Sequence, residues 1–161
     1  MVTEPTVRTA DDVTASWFLG SLVTTRIASE DTDGAVSVLE HLLPPTYETP
    51  YHVHHNEDEL SYLLEGGITL CTEQGTVTAT AGETLIAPRG QPHGFQVTGD
   101  SPAKRLVFLV PAGYEAFFHE VGRPAETRRL PDSAEQDREQ LSAIASDYDV
   151  EILGPLPEFD G

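Results

Sequence analysis

Cysteine and basic residues are scarce in this sequence. Cys71 is the single cysteine, so no internal disulfide can form and the fold does not depend on oxidation. Nine lysine and arginine residues stand against 27 aspartate and glutamate residues, which gives a formal net charge of −18. Because such a surface repels phosphate backbones and anionic membranes, we expect neither nucleic acid nor a membrane among the partners.

Long apolar runs are also absent. No run of about 18 apolar residues occurs anywhere, and no apolar segment opens the chain. The first absence predicts that no helix spans a membrane, and the second predicts that there is no signal peptide. We therefore expect a cytoplasmic protein.

The 161 residues suffice for one domain with a sizeable core, and 39% of them are hydrophobic. Short β-branched and aromatic runs alternate with turn signals at regular intervals, which predicts an all-β sandwich or barrel. The strand candidates are 17–28, 35–43, 59–64, 68–72, 77–80, 84–87, 93–97 and, as the last strand, 105–110. Pro44 and Pro45 should end the second of these, because proline cannot donate to a strand ladder.

After residue 111 the hydrophobic period changes from strand to helix. Four residues recur at helical spacing and predict a short amphipathic helix that covers one end of a barrel: Tyr114, Phe117, Phe118 and Val121. Ser133 and Gln136 have the spacing of a capping box, which predicts a second helix with an apolar face: Leu141, Ile144, Ala145 and Tyr148. The predicted organisation is an N-terminal arm (1–14), a β-barrel domain (15–125) and a C-terminal helix and tail packed on the barrel (126–161), with the tail loose from Gly154.

Three of the six histidines lie within four residues. His52 and His54 have the i, i+2 spacing that places two side chains on one face of a strand. Glu59 follows after a polar run, and His93 enters a later strand from a Pro/Gly turn. Imidazole and carboxylate ligands together suit Mn, Fe, Co, Ni, Cu or Zn, so these four residues are the candidate ligands of one divalent transition metal ion per subunit.

The spacing of these residues resembles a known family. His52-x-His54-x4-Glu59-x6-Gly66 is similar to the first cupin motif, and Gly82-x5-Pro88-x-Gly90-x2-His93 is similar to the second. Thr46 stands where the first motif usually opens with glycine, and Val97 stands where the second usually closes with asparagine. The resemblance implies a single-domain cupin, a jelly-roll or double-stranded β-helix barrel with short C-terminal helices, which binds a metal through His52, His54, Glu59 and His93.

The segment 110–124 also resembles the tail of the quercetin 2,3-dioxygenase-like cupins. In that subgroup the carboxylate ligand activates a flavonol before dioxygen adds, so the resemblance implies that Glu59 acts both as ligand and as general base. A set of three imidazoles and one carboxylate leaves open positions on a five- or six-coordinate metal, as a catalytic site requires.

The other polar candidates carry weaker signals. His55 should lie on the strand face opposite His52 and His54, where it is exposed or supports a ligand. His41 and His119 have no motif around them and are interpreted as surface or packing residues, and Arg89 and Gln91 as turn residues facing water. Five residues are candidates for apolar pocket walls, although the alternation with Glu59 disfavours the first: Tyr62, Phe95, Leu106, Phe108 and Tyr114.

Three functions are open. The first is a metal-dependent dioxygenase that oxidises or opens a flavonol-like or other enolisable, hydroxylated aromatic substrate with O2. The second is a non-oxidative isomerase, cyclase or lyase that uses the metal as a Lewis acid, and the third is a module that binds a small molecule without turnover. Fold alone does not choose between chemistries. A barrel with exposed strand edges and an N-terminal arm also predicts a homodimer.

Overall fold

The computed structural model describes residues 2–134 and 138–158, and these form two antiparallel sheets with few short helices. The strands in chain order are β1 (Ala15–Phe18), β2 (Ser21–Ile27), β3 (Ser37–Leu43), β4 (Tyr51–His54), β5 (Asp58–Glu65), β6 (Gly67–Thr72), β7 (Gly75–Thr80), β8 (Thr84–Ala87), β9 (His93–Val97), β10 (Ala103–Val110), β11 (Arg123–Pro124) and β12 (Val150–Gly154). The helices are α1 (Glu115–Val121) and α2 (Arg138–Asp147), besides 3-10 turns at Ala10–Asp12 and Ser29–Asp31. No helix in this described part is long and apolar enough to cross a membrane.

The two sheets form a jelly-roll sandwich. One has the order β11-β1-β2-β3-β10-β5-β8, and the other has the order β12-β4-β9-β6-β7. Non-consecutive strands are neighbours in both sheets, so the chain crosses repeatedly between them. The prediction of an all-β cupin-like barrel is confirmed.

Two apolar clusters fill the interior. The first joins both sheets through the side chains of Leu43, Leu63, Ile68, Leu70, Leu85, Phe95, Val97 and others. The second brings the two helices against the strands through Phe18, Val23, Leu39, Val107, Leu109, Phe117, Phe118, Leu141, Ala145 and Val150. Strict alternation produces these clusters: in β3 and β10 every second residue is buried.

The sequence-based strand assignments hold with two corrections. The predicted strand 17–28 is two strands, because Leu19 and Gly20 turn the chain with positive φ angles. The prediction that no strand follows residue 110 is wrong: Val150–Gly154 forms β12, which pairs antiparallel with β4 and flanks the histidine strand. β3 ends at Leu43, directly before Pro44, as predicted.

The helix predictions also have two outcomes. Phe117 and Phe118 are buried on α1, which begins after Tyr114 and ends before Gly122, as the apolar stripe predicts. In α2, Leu141 and Ala145 face the core. Gln136 of the predicted capping box lies outside the described residues.

Candidate metal centre

Three histidines meet inside the sandwich. His52 and His54 lie on β4, and His93 opens β9, where it is the direct cross-strand partner of His52. One ring nitrogen of each imidazole lies within 4.8 Å of one of each of the others, and all three residues are buried. The i, i+2 spacing and the β4–β9 register therefore bring together three of the four predicted ligands.

Each imidazole is held by its Nδ1 atom. Nδ1 of His52 lies 2.8 Å from the carbonyl oxygen of Pro50, and Nδ1 of His93 lies 2.9 Å from that of Gln91. Nδ1 of His54 lies 2.7 Å from a carboxylate oxygen of Glu57, which is itself buried. Because these partners only accept, we assign the proton to Nδ1 in each ring, and every Nε2 keeps its lone pair.

Glu59, the fourth predicted ligand, lies beside the three imidazoles without joining their compact group. Its Oε2 is 3.5 Å from Nε2 of His54, whereas its Oε1 accepts a hydrogen bond of 3.0 Å from Nη1 of Arg105. The carboxylate thus has one oxygen on an arginine and the other next to a histidine nitrogen. This arrangement leaves Oε2 available to a metal while Oε1 stays paired.

The electrostatics of these groups favour neutral imidazoles at His52 and His93 beside the Glu59 carboxylate anion. Burial, followed by the neighbouring imidazoles, lowers the pKa of His52 to about 3. Burial also lowers the pKa of His93. For Glu59 burial favours the neutral acid, but the Arg105 guanidinium and the surrounding imidazoles outweigh it and lower the pKa to about 2.

The donor set fits a divalent transition metal. Nε2 of His93 is fully buried and has no hydrogen-bond partner among the described residues, a costly arrangement unless a ligand occupies it. Three neutral nitrogens and one anionic oxygen match borderline ions of the Mn-to-Zn series. His52, His54, Glu59 and His93 would hold such an ion, and Pro50, Gln91 and Glu57 would orient the rings.

A cavity opens directly at these side chains. Its walls come from both sheets and both helices: Phe18, His41, Tyr47, Thr49, Pro50, His52, His54, Glu59, Phe95, Arg105, Tyr114, Phe117, Phe118, Leu141 and Ile152. The volume open to the centres of water-sized molecules is about 50 Å³. At about 10 to 15 Å³ per water, this space admits a few water molecules or a small ligand fragment, and a flavonol requires the aromatic side chains of α1 to move.

The apolar wall candidates divide between the inside and the outside of the barrel. Phe95 and Tyr114 line the cavity, and the ring of Tyr114 lies edge-on to that of His54 with centroids 4.6 Å apart. Leu106 is absent from the cavity lining, and Tyr62 and Phe108 line a groove on the outer surface, so these three assignments are wrong. Alternation explains the error, because all three have the opposite parity to the buried residues of β5 and β10.

The structure also shows where the remaining polar candidates lie. His55 is exposed and lies 3.2 Å from Glu151, as the alternation predicts, and Arg89 is exposed and paired with Asp58. His119 is exposed, and its Nε2 lies 2.9 Å from the Thr25 hydroxyl, beside the β1–β2 hairpin. His41 differs from the prediction of a surface or packing role, because it is buried and lines the cavity.

Sequence reasoning missed four residues at the site: His41, Tyr47, Glu57 and Arg105. Two of them carried a signal. Arg105 has the same parity as Ala103, Val107 and Leu109, and His41 has the same parity as Leu39 and Leu43. A polar residue at an inward position of an otherwise apolar strand face indicates a buried polar site.

Comparison with known proteins agrees with this geometry. A family model described as "Cupin domain" (Cupin_2) matches residues 38–109. A quercetin 2,3-dioxygenase of Bacillus subtilis is 30% identical over 105 residues, which are 65% of this chain and 31% of that protein. An uncharacterised protein of Methanocaldococcus jannaschii is 27% identical over 84 residues, which are 52% of this chain and 64% of that protein. The chain thus spans about a third of the dioxygenase.

Solved structures show the same fold. The polyketide cyclase RemF from Streptomyces resistomycificus matches with a TM-score of 0.57 and 26% identity over 66% of this chain and 80% of that one. An RmlC-like cupin from Shewanella frigidimarina matches with a TM-score of 0.58 and 14% identity over 70% of this chain and 96% of that one, a likeness of fold. From the matched domain, the two-sheet jelly roll and the converging histidines, we conclude that this chain belongs to the cupin superfamily.

Proposed function

We propose that the protein is a metal-dependent dioxygenase that oxidises or opens a flavonol-like or other enolisable, hydroxylated aromatic ring with O2. The observation that carries the proposal is the set of three buried imidazoles with free Nε2 atoms beside the Glu59 carboxylate. The 30% identity to a quercetin 2,3-dioxygenase favours oxygen chemistry among the activities that cupins host.

The residues of the chain have distinct roles in this proposal. His52, His54, His93 and Glu59 hold one divalent ion, which supplies Lewis acidity and, for a redox-active metal, reactivity toward dioxygen. Tyr114, directly before α1, and Phe117 and Phe118 on α1 line the cavity and would limit the entry of water. Exclusion of water strengthens the electrostatic interactions inside and protects reactive species.

Glu59 is the proposed acceptor of the substrate hydroxyl proton. Its Oε2 is free of Arg105 and is the atom that would take the proton. A carboxylate whose pKa is about 2 is a weak base, since general bases work best with a pKa near the working pH. The ion pair with Arg105 therefore favours the ligand role of Glu59 over the base role.

A second candidate function is a non-oxidative cyclase, isomerase or lyase. It is supported by the structural likeness to a polyketide cyclase at 26% identity. A metal ion held by the same four residues would then polarise a substrate carbonyl as a Lewis acid, and no dioxygen would be consumed. Binding without turnover has less support, because the four ligand-competent residues are all present.

An oxygen electrode combined with elemental analysis tests the first proposal. Purified protein with measured metal content is supplied with a panel of flavonols and simpler phenols in air and under anaerobic conditions. The dioxygenase consumes O2 in proportion to metal content and makes no product without O2. Product formed anaerobically would instead support the second function, and neither signal would support binding alone.

The assembly proposed is a homodimer. The outer face of β5, β8 and β10 carries a groove with almost entirely apolar walls, and β8 ends its sheet as an edge strand. Tyr62 and Ile86 are 39% and 61% exposed there. An apolar strip beside an edge strand is a surface that a second copy of the chain can cover. The cytoplasmic location also stays a proposal.

A further inference from the structure

Beyond Glu59 the cavity wall continues into a polar group that the metal centre does not use. Arg105, His41 and Tyr47 all line the cavity and all are buried. Arg105 comes from β10 and His41 from the neighbouring strand β3, where the two residues are direct cross-strand partners. Arg105 and His41 at inward strand positions, with the buried Tyr47 of the β3–β4 connection beside them in the cavity wall, need an explanation, because inward positions of a barrel are usually apolar.

The hydrogen bonds of Arg105 leave part of its guanidinium unused. Nη1 donates to Glu59 at 3.0 Å and to Ser61 at 2.9 Å, and Nη2 lies 3.4 Å from Nδ1 of His41. Nε is buried and has no partner among the residues the structure describes. Nε and Nη2 form the edge with which arginine binds carboxylates through two parallel hydrogen bonds.

The position of the guanidinium is fixed on several sides. Its carbon lies 4.2 Å from the centre of the Phe95 ring, and His41 in turn lies 2.9 Å from the Ser21 hydroxyl through Nε2. Ser21 donates to the carbonyl oxygen of Phe18 at 2.6 Å, so it accepts from His41, and Nδ1 of His41 is left to accept from Arg105. The edge of the Arg105 guanidinium formed by Nε and Nη2 is therefore held in position before any ligand binds.

Tyr47 adds a second unused donor to the same cavity. Its hydroxyl is buried and has no hydrogen-bond partner within the described part of the chain; the Ser21 hydroxyl is near but beyond hydrogen-bond geometry. Burial raises the pKa of Tyr47 to about 12, so the hydroxyl keeps its proton and donates. A buried donor without a partner costs free energy, and a ligand oxygen removes that cost.

The chemistry of these donors indicates the charge of the ligand. The edge of a guanidinium binds carboxylates through two parallel, charge-assisted hydrogen bonds, which are stronger than hydrogen bonds to a neutral acceptor. An anionic oxygen is therefore favoured over a neutral one at Arg105.

Given the metal-dependent function proposed above, we infer that Arg105 and Tyr47 form a subsite for the carboxylate or enolate group of an anionic substrate. The subsite lies beside the proposed metal centre and supplies three donors: Nε and Nη2 of Arg105 and the hydroxyl of Tyr47. The whole cavity, which includes the candidate metal centre, measures about 50 Å³, so only the anionic group of a substrate fits without movement of the surrounding side chains.

Calorimetric titration of the zinc-loaded protein with acetate and with acetamide tests the charge requirement. Zinc is used because it has no redox chemistry, and acetamide has the shape of acetate without its charge. We expect acetate to bind about 10- to 100-fold more tightly than acetamide, the range for a hydrogen-bonded charge. Equal binding of the two probes, or no binding of acetate, would overturn the inference.

Variants then assign the site. Tyr47→Phe removes only the hydroxyl, and Arg105→Lys keeps the charge but removes the paired Nε and Nη2 donors. Each substitution should therefore lower the affinity for acetate about tenfold. Tyr62→Phe is the matched control, since Tyr62 lies on the outer surface, and it should leave acetate affinity unchanged. Zinc per chain and circular dichroism are measured on each preparation. If Arg105→Lys does not fold, Tyr47→Phe and the acetamide comparison still decide.

The outcomes separate this inference from the proposed function. Acetate affinity that both variants leave unchanged shows that the anion binds zinc alone and overturns the subsite, whatever the oxygen electrode reports. An acetate site that depends on Tyr47 in a protein that consumes no O2 with any phenol retains the subsite and rejects the dioxygenase.

Discussion

Each face of β5 and β10 departs in part from the usual pattern of a barrel sheet. The inward positions include Glu59, Ser61 and Arg105, which are buried and hydrogen-bonded to one another. The outward positions include Leu60, Tyr62 and Phe108, which line an apolar groove at the surface. A sheet normally buries its apolar face and exposes its polar face.

These departures show where each face interacts. Buried charges lower stability unless they are paired, so their presence inside indicates a site that binds or reacts. Exposed apolar side chains in a contiguous strip indicate a surface that another chain covers. Substitutions on the inner face should therefore change chemistry and stability, and those on the outer face should change assembly alone.

The largest expected effect belongs to Glu59→Gln on the inner face. If the carboxylate accepts the substrate proton, turnover should fall roughly 10²- to 10⁴-fold, whereas metal per chain should fall much less because three imidazoles remain. Rate and metal content are measured on the same preparation. Glu65→Gln at the exposed end of the same strand is the control and should keep full turnover. Full activity of the Glu59 variant at full metal content would contradict both roles of Glu59.

Arg105→Met should destabilise the metal-free protein. Removing one member of a buried ion pair leaves the other charge unpaired, and the expected loss in free energy of unfolding is about 3 to 5 kcal/mol. Chemical denaturation measures it. The double variant with Glu59→Gln should lose less than Arg105→Met alone.

Its control is Lys104→Met, which changes the adjacent residue on the outer face of the same strand. Lys104 lies 3.6 Å from Glu40 in a surface pair, for which a loss of about 0 to 1 kcal/mol is expected. Equal losses in free energy of unfolding for Lys104→Met and Arg105→Met would show that the buried ion pair contributes no more to stability than the surface pair.

Removal of metal should lower the melting temperature, and adding metal back should restore it. A metal at 100 times its dissociation constant stabilises the native state by about 2.7 kcal/mol. Differential scanning calorimetry before and after verified chelation measures the shift. His93→Ala should lose the metal and the shift, while His55→Ala, an exposed residue, should keep both. An unchanged melting temperature after verified chelation would show that the ion does not stabilise the native state.

Protonation of His41 should lower the stability of the folded protein in acid. Burial, with Arg105 beside the ring, holds the pKa of His41 well below its usual value. The unfolded chain therefore binds this proton first, so stability present above about pH 6.5 is lost as the pH falls below it. Relative to His41→Gln, the native sequence should lose up to about 1.4 kcal/mol more per pH unit in this range. Parallel pH profiles of the two proteins in chemical denaturation would contradict this assignment.

The smallest effect on stability is expected on the outer face. Ile86→Lys places a charge in the exposed groove, which should separate the dimer and change monomer stability by less than about 0.5 kcal/mol. Light scattering measures the assembly. Val77→Lys, an exposed apolar position on the other sheet, is the control and should leave the dimer intact. A native protein that is monomeric at micromolar concentration would exclude this interface.

Much of the candidate metal centre was predictable from local sequence. His52 and His54 reach one face because strand residues alternate, and this requires only that 51–54 be extended. The turn that precedes His93 has its own Pro and Gly signals. Thr46, which departs from the family motif, has a φ of 62°, so the position keeps the left-handed conformation that glycine favours.

The sequence by itself therefore determined the class of fold, most of the strands and the identity of the candidate ligands, because these depend on periodicity and spacing within short segments. Tertiary structure decided the partners of those ligands. The pairing of Glu59 with Arg105, the burial of His41 and Tyr47 in the cavity wall, and the addition of β12 beside β4 all join residues far apart in the chain. Such contacts depend on strand order and register, which hydrophobic alternation within one strand does not specify.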